Sequence, residues 1–231
     1  MIIQYSSIKP QGEASDTTLH LKDFVLAIQT PLQAEMLKKF GPNHIICIDA
    51  THGTNAYDFS LLTVLVIDEY GEGYPISWCI SNRMDLTLLI QVFKAMKAKV
   101  GNIVPKWVMS DDADQFYSAW FSVFGPGPQK LLCTWHVDRA WRGRLNGIKD
   151  RELAQKIYHN FRVLMEEEEE QRFESLLNET QKQMSTSPQT KDFLNYFLIR
   201  TMPTENISGH FATANSLTST QTCMWRPFTG Y

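Results

Sequence analysis

The sequence predicts an α/β protein built on one mixed β-sheet, and two patterns carry this prediction. Three apolar, strand-like runs follow one another between residues 44 and 82, with turn-forming residues between them. After residue 85, helical and strand-like patterns alternate, and from about residue 150 to residue 202 the pattern is helical. A set of strands followed by alternating helices and strands is typical of an α/β domain.

The strand predictions come from short apolar runs. Residues 44–50, HIICIDA, are almost continuously apolar, as expected for a strand that is buried on both faces. Residues 59–69 and 74–82 flank a glycine-containing turn, which predicts a hairpin and therefore an antiparallel meander of the first three strands. Two further strands are predicted at residues 106–111, KWVMSD, and 130–135, KLLCTW.

The helix predictions come from capping residues and apolar periodicity. Thr30, Pro31 and Gln33 form a capping-box start for a helix that ends at Gly41, a residue typical of the position after a helix. The later helices each carry one apolar face, formed by Leu86, Leu89, Ile90, Phe93, Met96 and Val100, by Phe116, Ala119, Trp120 and Val123, and by Val137, Trp141, Leu145 and Ile148.

The resulting order, β-β-β-α-β-α-β-α, is the RNase H-like order, whereas a purely parallel Rossmann sheet would not begin with a hairpin. We therefore expect a flexible leader over residues 1–19 and an RNase H-like core over residues 20–149. A C-terminal helical insertion region is expected over residues 150–202 and an irregular tail over residues 203–231.

Net charge, hydropathy and cysteine content bear on three classes of protein: nucleic-acid-binding, membrane-spanning and disulfide-bonded proteins. The net charge of −3 provides no global electrostatic argument for nucleic-acid binding, although residues 139–151 are locally basic. Charge alone favours a solvated helix face for that segment. No run of eighteen apolar residues occurs, so we expect no membrane span. The four cysteines are far apart in the chain, which favours reduced thiols in an intracellular protein.

Two aspartates follow predicted central strands. Asp49 ends the first buried strand and Asp111 ends the strand KWVMSD. If these strands are parallel neighbours, both carboxylates lie at one edge of the sheet, where Mg²⁺ could bind their oxygens. Taken singly, each aspartate is better explained as a turn former or a helix N-cap, and only the pair makes the metal interpretation equally good. Asp112 and Asp114 compete with Asp111, and we expect one of them to cap the following helix.

Cys133 and His136 lie where the last strand meets its helix. A thiolate and an imidazole are both suitable Zn²⁺ ligands, so the pair could be half of a zinc site. No second pair with ligand spacing follows nearby. The residues alone therefore favour a buried cysteine and a histidine near a helix start.

Three segments together resemble the Mutator-like element (MULE) transposases over about residues 20–150. The first is Asp49-Ala50-Thr51 followed by Thr54-Asn55 and by Tyr57-x-Phe59, the second is the Ser-Asp at Asp111, and the third is the Cys-x-x-His of Cys133 and His136. The resemblance implies that Asp49 and Asp111 are catalytic acids of a DDE enzyme, which cleaves and joins double-stranded DNA with Mg²⁺ or Mn²⁺ in the nucleus.

The resemblance also implies phosphate contacts from the basic segment, with Arg139, Arg142, Arg144 and Lys149 as candidates, and zinc binding at the Cys-x-x-His pair. The third acid, a glutamate on a final helix, is not found, and Glu205 is not nominated because its surroundings lack helical periodicity. We therefore expect a catalytically incomplete enzyme. Two alternatives stay open, a domesticated, non-catalytic DNA- or protein-binding regulatory module and a truncated product of a longer gene. Formation of a homo-oligomer also stays open.

Overall fold

A computed structural model of the chain describes residues 2–5, 23–167, 169–185 and 188–198. These residues pack as two compact units, the first ending at Leu131 and the second beginning at Leu132. The first unit contains the sheet and three helices, and the second is helical, so the predicted α/β class is confirmed. The predicted irregular tail, residues 203–231, lies outside the described residues.

One mixed sheet organises the first unit. Its strands run in the order β1-β2-β5-β4-β3-β6-β7. Their bounds are β1 Ile2–Tyr5, β2 Val25–Ile28, β3 Ile45–Thr51, β4 Ser60–Ile67, β5 Gly73–Ser81, β6 Trp107–Ser110 and β7 Gln129–Leu132. Strands β3, β4 and β5 pair antiparallel in succession, which confirms the predicted meander, and β6 pairs parallel with β3.

Strand β1 lies within the segment that was predicted to be a flexible leader. Its four residues pair antiparallel with β2, with Ile2 opposite Ile28 and Tyr5 opposite Val25. A pairing partner more than twenty residues away along the chain provides the backbone hydrogen bonds that make this short run a strand, and local periodicity does not reveal such a partner. The described residues of the predicted leader are therefore a strand, and its other residues lie outside the described ranges.

Three helices accompany the sheet in the first unit: α1 Pro31–Phe40, α2 Leu86–Val100 and α3 Asp114–Phe124. The predicted capping box of α1 is confirmed, because Thr30 Oγ1 accepts from Gln33 N at 3.2 Å and Gln33 Oε1 accepts from Thr30 N at 2.8 Å. Apolar residues of β3 and β4 share one buried cluster with the inner faces of these helices. Trp120 in this cluster stacks on Phe124 with ring centroids 4.1 Å apart.

Gly41 ends α1 as predicted, but for a different reason. Its φ of −75° is right-handed, so the position does not need the left-handed freedom of glycine. A Cβ at this position would lie 2.6 Å from Leu37 O and 3.0 Å from Ile103 Cγ2. Close packing at the end of the helix therefore requires the glycine.

The second unit is formed by α4 Thr134–Leu145, α5 Arg151–Glu166, α6 Glu170–Ser185 and α7 Pro188–Tyr196. Its core contains Trp141, Phe161 and Phe197, all fully buried and in mutual ring contact. The strand predicted over residues 130–135 is too long, because β7 ends at Leu132 and α4 begins at Thr134. Among the described residues, no helix is long and apolar enough to cross a membrane.

Candidate functional site

The parallel pairing of β3 and β6 brings Asp49 and Asp111 to the same level of the sheet. The register pairs Cys47 with Met109, and each aspartate lies two residues further along its own strand direction. Because side chains alternate in a strand, both aspartates lie on the face that carries Cys47 and Met109. Adjacent strands are about 4.8 Å apart, so the two aspartates follow neighbouring positions of the sheet.

The strand ends differ slightly from the prediction. Asp49 is not the last residue of its strand, because β3 continues to Thr51, and Asp111 is the first residue after β6. Both aspartates are half-buried. The pairing with β4 extends β3 past Asp49, with Thr51 opposite Leu61. Strand residues before and after Asp49 are therefore paired with β4, which fixes the backbone position of this acid. A rigid backbone position is what a metal ligand requires.

Each carboxylate accepts a hydrogen bond from a residue of its own segment. Thr51 Oγ1 donates to Asp49 Oδ2 at 3.1 Å, and the backbone N–H of Ala113 donates to Asp111 Oδ1 at 2.9 Å. Asp111 thus also forms the turn that leads into α3, as the turn-former interpretation expected. The expectation that Asp112 or Asp114 caps this helix is wrong, because the N-cap is Ala113. Asp114 lies in the first turn of α3 and pairs with Lys130 at 2.6 Å.

The loop between β3 and β4 follows Asp49 directly and is organised by Asn55. Asn55 Oδ1 accepts from the backbone N–H groups of Tyr57 and Phe59, each at 3.1 Å, and Asn55 Nδ2 donates to Phe59 O at 2.7 Å. Phe59 stacks on Phe24 with ring centroids 5.0 Å apart. The Thr-Asn and Tyr-x-Phe motif of the sequence therefore has a structural explanation, since Asn55 holds the loop that carries both aromatic rings.

An apolar groove of about 570 Å³ borders this loop. Its lining includes Phe24, Tyr57 and Phe59, and Tyr57 is 80% exposed. Leu61 and Ile80, which also line it, are cross-strand neighbours in the same row as Thr51. The groove thus lies beside the end of β3 that carries Asp49. Periodicity alone did not reveal it, because its walls come from three separate segments of the chain.

Cys133 and His136 are both at the start of α4. Cys133 is the N-cap residue and His136 lies in the first turn, where its ring meets Trp135 edge-on at 4.8 Å. Cys133 is the residue between β7 and α4, so the pair lies where the last strand meets its helix, as predicted. They supply two of the four protein ligands of a structural zinc site. This set does not fit zinc by itself, and we assign zinc no role in the chemistry.

The four basic residues nominated for nucleic-acid contact are all exposed. The three arginines each place their guanidinium group over an aromatic ring. The distances to the ring centroids are 5.3 Å for Arg139 over Trp135, 6.0 Å for Arg142 over Tyr158 and 3.8 Å for Arg144 over Tyr196. Arg142 is also ion-paired with Asp138, so part of its charge is already compensated within the protein. Lys149 lies beyond α4, in the segment before Arg151.

Asp138 is the residue of this region that sequence reasoning did not single out. It is 4% exposed, and its Oδ1 accepts from Tyr158 Oη at 2.7 Å. Arg142 and Arg162 pair with the same carboxylate. Burial of Tyr158, followed by its hydrogen bond to Asp138, raises the pKa of the Tyr158 phenol. The i, i+4 spacing of Asp138 and Arg142 was the available signal, but such spacing is common on exposed helix faces.

The donor set at the sheet edge suits a hard divalent cation. Mg²⁺ is commonly bound by one or two carboxylates together with water and phosphate oxygens, and Asp49 and Asp111 are two carboxylates at neighbouring positions. Within residues 2–5, 23–167, 169–185 and 188–198, no group of three or more His, Cys, Asp and Glu side chains could hold a metal ion. The described site therefore consists of a pair of acids.

Residues 45–139 match the family model of the MULE transposase domain. The matched range begins with β3, contains both aspartates and the Cys-x-x-His pair, and ends within α4. No curated protein matches the chain.

Proposed function

We propose that this MULE transposase-like chain carries a DDE-type nuclease and strand-transferase site in which Asp49 and Asp111 bind Mg²⁺ or Mn²⁺. The observation that carries the proposal is the parallel register of β3 and β6. It places the two acids at corresponding positions on one face of the sheet. An isolated aspartate after a strand is common, but two aspartates in equal register on neighbouring parallel strands form a chelating pair.

The strand order supports an RNase H-like core. From one edge to the other, β5, β4 and β3 form an antiparallel meander, and β6 continues the sheet beside β3 with β7 next to it. This arrangement has the central pair of strands that the RNase H-like order requires for its first two acids. A bound divalent cation would supply Lewis-acid activation of a water or 3′-hydroxyl and stabilisation of the leaving oxygen.

The residues of the chain have separate parts in this proposal. Asp49 and Asp111 hold the cation, and Thr51 orients Asp49 through the hydrogen bond to its Oδ2. The backbone of Ala113 orients Asp111. Each donor lies two residues after its acid in the chain, so short-range hydrogen bonds restrict the motion of both carboxylates.

The exposed basic residues Arg139, Arg142, Arg144 and Lys149 are proposed to contact DNA phosphates. Stacking on aromatic rings limits the motion of the three guanidinium groups, so less side-chain entropy is lost when they bind. This observation also favours the second candidate function, a domesticated module that binds DNA without cleaving it. Either function implies residence in the nucleus.

Cation binding is tested by titrating the protein with Mn²⁺ and following the free-ion signal by electron paramagnetic resonance. Asp49→Asn and Asp111→Asn are expected to weaken binding at least tenfold, because each removes a charged ligand. Glu35→Gln, which removes an equal charge from exposed α1, is the matched control and is expected to bind as the wild type does. Equal Mn²⁺ affinity in all four proteins would contradict the proposed site.

The two candidate functions are separated with supercoiled plasmid and Mn²⁺. Nicking that disappears in Asp49→Asn supports the nuclease, and duplex binding without nicking supports the binding module. In both cases Arg139→Ala and Arg144→Ala are expected to reduce the salt dependence of duplex binding. Each lost phosphate contact lowers the slope of log K against log salt by about 0.9. An unchanged slope would show that Arg139 and Arg144 of α4 do not contact DNA phosphates.

A further inference from the structure

Thr63 has an unusual position beside the proposed metal site. It lies on β4 directly opposite Asp49, and therefore on the same face of the sheet. The residue is 1% exposed. Its hydroxyl Oγ1 is buried and has no hydrogen-bond partner among the described residues. A buried hydroxyl without a partner is rare in a folded protein, and each such group calls for a physical explanation.

Stability does not explain this hydroxyl. Valine has nearly the same shape as threonine and would fill the site without burying an unpaired polar group. Its neighbours on the same face of β4, Leu61 and Leu65, are apolar, and Leu65 is buried. The threonine therefore places a polar atom where packing alone favours an aliphatic side chain.

The surroundings of Thr63 indicate which group its hydroxyl serves. Its two cross-strand neighbours are Asp49 on β3 and Trp78 on β5. The indole of Trp78 can donate to a hydroxyl but cannot accept from it, whereas the carboxylate of Asp49 can accept the hydrogen bond that the hydroxyl donates. Opposed side chains in an antiparallel pair have Cβ atoms about 4.5–5.5 Å apart, so a change of side-chain rotamer is enough to join the two groups. Asp49 is thus the cross-strand acceptor available to Thr63.

We propose that Thr63 is a positioning residue for Asp49, whose carboxylate turns toward the cation and then accepts a hydrogen bond from the Thr63 hydroxyl. Thr51 already donates to Asp49 Oδ2, so the carboxylate would be held from its own strand and from the adjacent one. Carboxylates that bind metals are themselves held by hydrogen bonds, and loss of such a partner typically lowers metal affinity about 10–100-fold. The inference rests on the proposed function, since it assigns a role at the same site.

The test uses Thr63→Val in the full chain, with two measurements that are expected to move in opposite directions. Without metal, the thermal unfolding midpoint is expected to stay equal or rise, because an unpaired hydroxyl is removed. The Mn²⁺ affinity is expected to fall about tenfold, and the electron paramagnetic resonance lines of bound Mn²⁺ are expected to change as Asp49 loses a constraint. Thr63→Ser retains the hydroxyl and is expected to restore the affinity to near the wild-type value.

Thr180→Val makes the same chemical change at a buried position on α6 and serves as the control, with no expected change in Mn²⁺ affinity. Wild-type Mn²⁺ affinity in Thr63→Val, together with weak binding in Asp49→Asn, would overturn the role of Thr63 and leave the metal site standing. A large drop of the unfolding midpoint in metal-free Thr63→Val would also overturn it, because the hydroxyl would then have a structural partner. If Asp49→Asn binds Mn²⁺ normally, both proposals fail.

Discussion

Replacing Asp138 with asparagine tests whether the buried carboxylate in the second unit stabilises the fold. The residue is 4% exposed and accepts a 2.7 Å hydrogen bond from Tyr158 on α5. Asparagine has nearly the same size and retains an acceptor oxygen, but it has no charge. The substitution therefore removes the electrostatic part of the network while the packing between α4 and α5 is retained.

The expected loss follows from the contacts. A hydrogen bond to a charged acceptor contributes about 1.5–3 kcal/mol and a neutral one about 0.5–1.5 kcal/mol, so the bond from Tyr158 weakens by roughly 1 kcal/mol. The side chains of Arg142 and Arg162 are 60% and 40% exposed, so solvent screening limits their ion pairs with Asp138 to under about 1 kcal/mol each. A neutral amide is also less costly to bury. The expected net loss in unfolding free energy is about 1–2 kcal/mol.

Urea denaturation followed by far-UV circular dichroism measures this loss. Tyr158→Phe removes only the donor and is expected to cost about 1 kcal/mol. The double variant should lose less than the sum of the two single losses, because both substitutions remove the same bond. Asp138→Asn is also expected to bring the pKa of Tyr158 closer to its ordinary value. An Asp138→Asn protein as stable as the wild type would refute the reasoning. The free energy needed to bury the carboxylate would then equal the free energy gained from its hydrogen bond and ion pairs.

Three further outcomes are expected. Burial raises the pKa of the Cys79 thiol to about 12 from 9.0, so its stabilising contribution is complete below pH 9 and is lost as pH rises from 9 toward 12. Unfolding free energy in that range should fall more steeply, by up to about 1.4 kcal/mol per pH unit, in the wild type than in Cys79→Ala, and equal slopes would contradict this. Gly41→Ala should destabilise the protein by about 1–3 kcal/mol in urea denaturation, because its Cβ would meet Leu37 O at 2.6 Å, and a neutral result would mean that α1 shifts freely. Asn55→Ala should speed amide hydrogen exchange at Tyr57 and Phe59 while leaving exchange in β4 unchanged, and unaltered exchange at both amides would show that Asn55 does not hold the loop.

Local patterns were sufficient for much of the fold. The capping box at Thr30, the hairpin between β4 and β5, and the buried face of α3 each depend on residues close together in the chain. The predicted face of α2 is partly wrong, because Leu86 is 41% exposed whereas Leu88 and Val92 are buried. Such patterns can be read from sequence because helix and strand periods set which side chains share a face. Strand β1 was missed because its partner β2 lies outside any local window.

The candidate site was predicted only in part. The strand patterns indicated that Asp49 and Asp111 follow buried strands, and that both would lie at one edge if the strands were parallel neighbours. Parallel pairing is confirmed, but local periodicity does not contain the register of β3 against β6. A shift of one residue would turn one aspartate to the other face of the sheet.

The amino-acid sequence by itself determined the class of the fold and the order of its elements from β3 to α4, and it nominated Asp49 and Asp111 as candidate cation ligands. Only the tertiary structure decided that Thr63 lies opposite Asp49, that Asp138 accepts a hydrogen bond from Tyr158, and that Gly41 packs against Ile103. The physical reason is the same in each case. These features depend on pairing and packing between residues distant in the chain, and the free energy of such contacts is set by the whole unit.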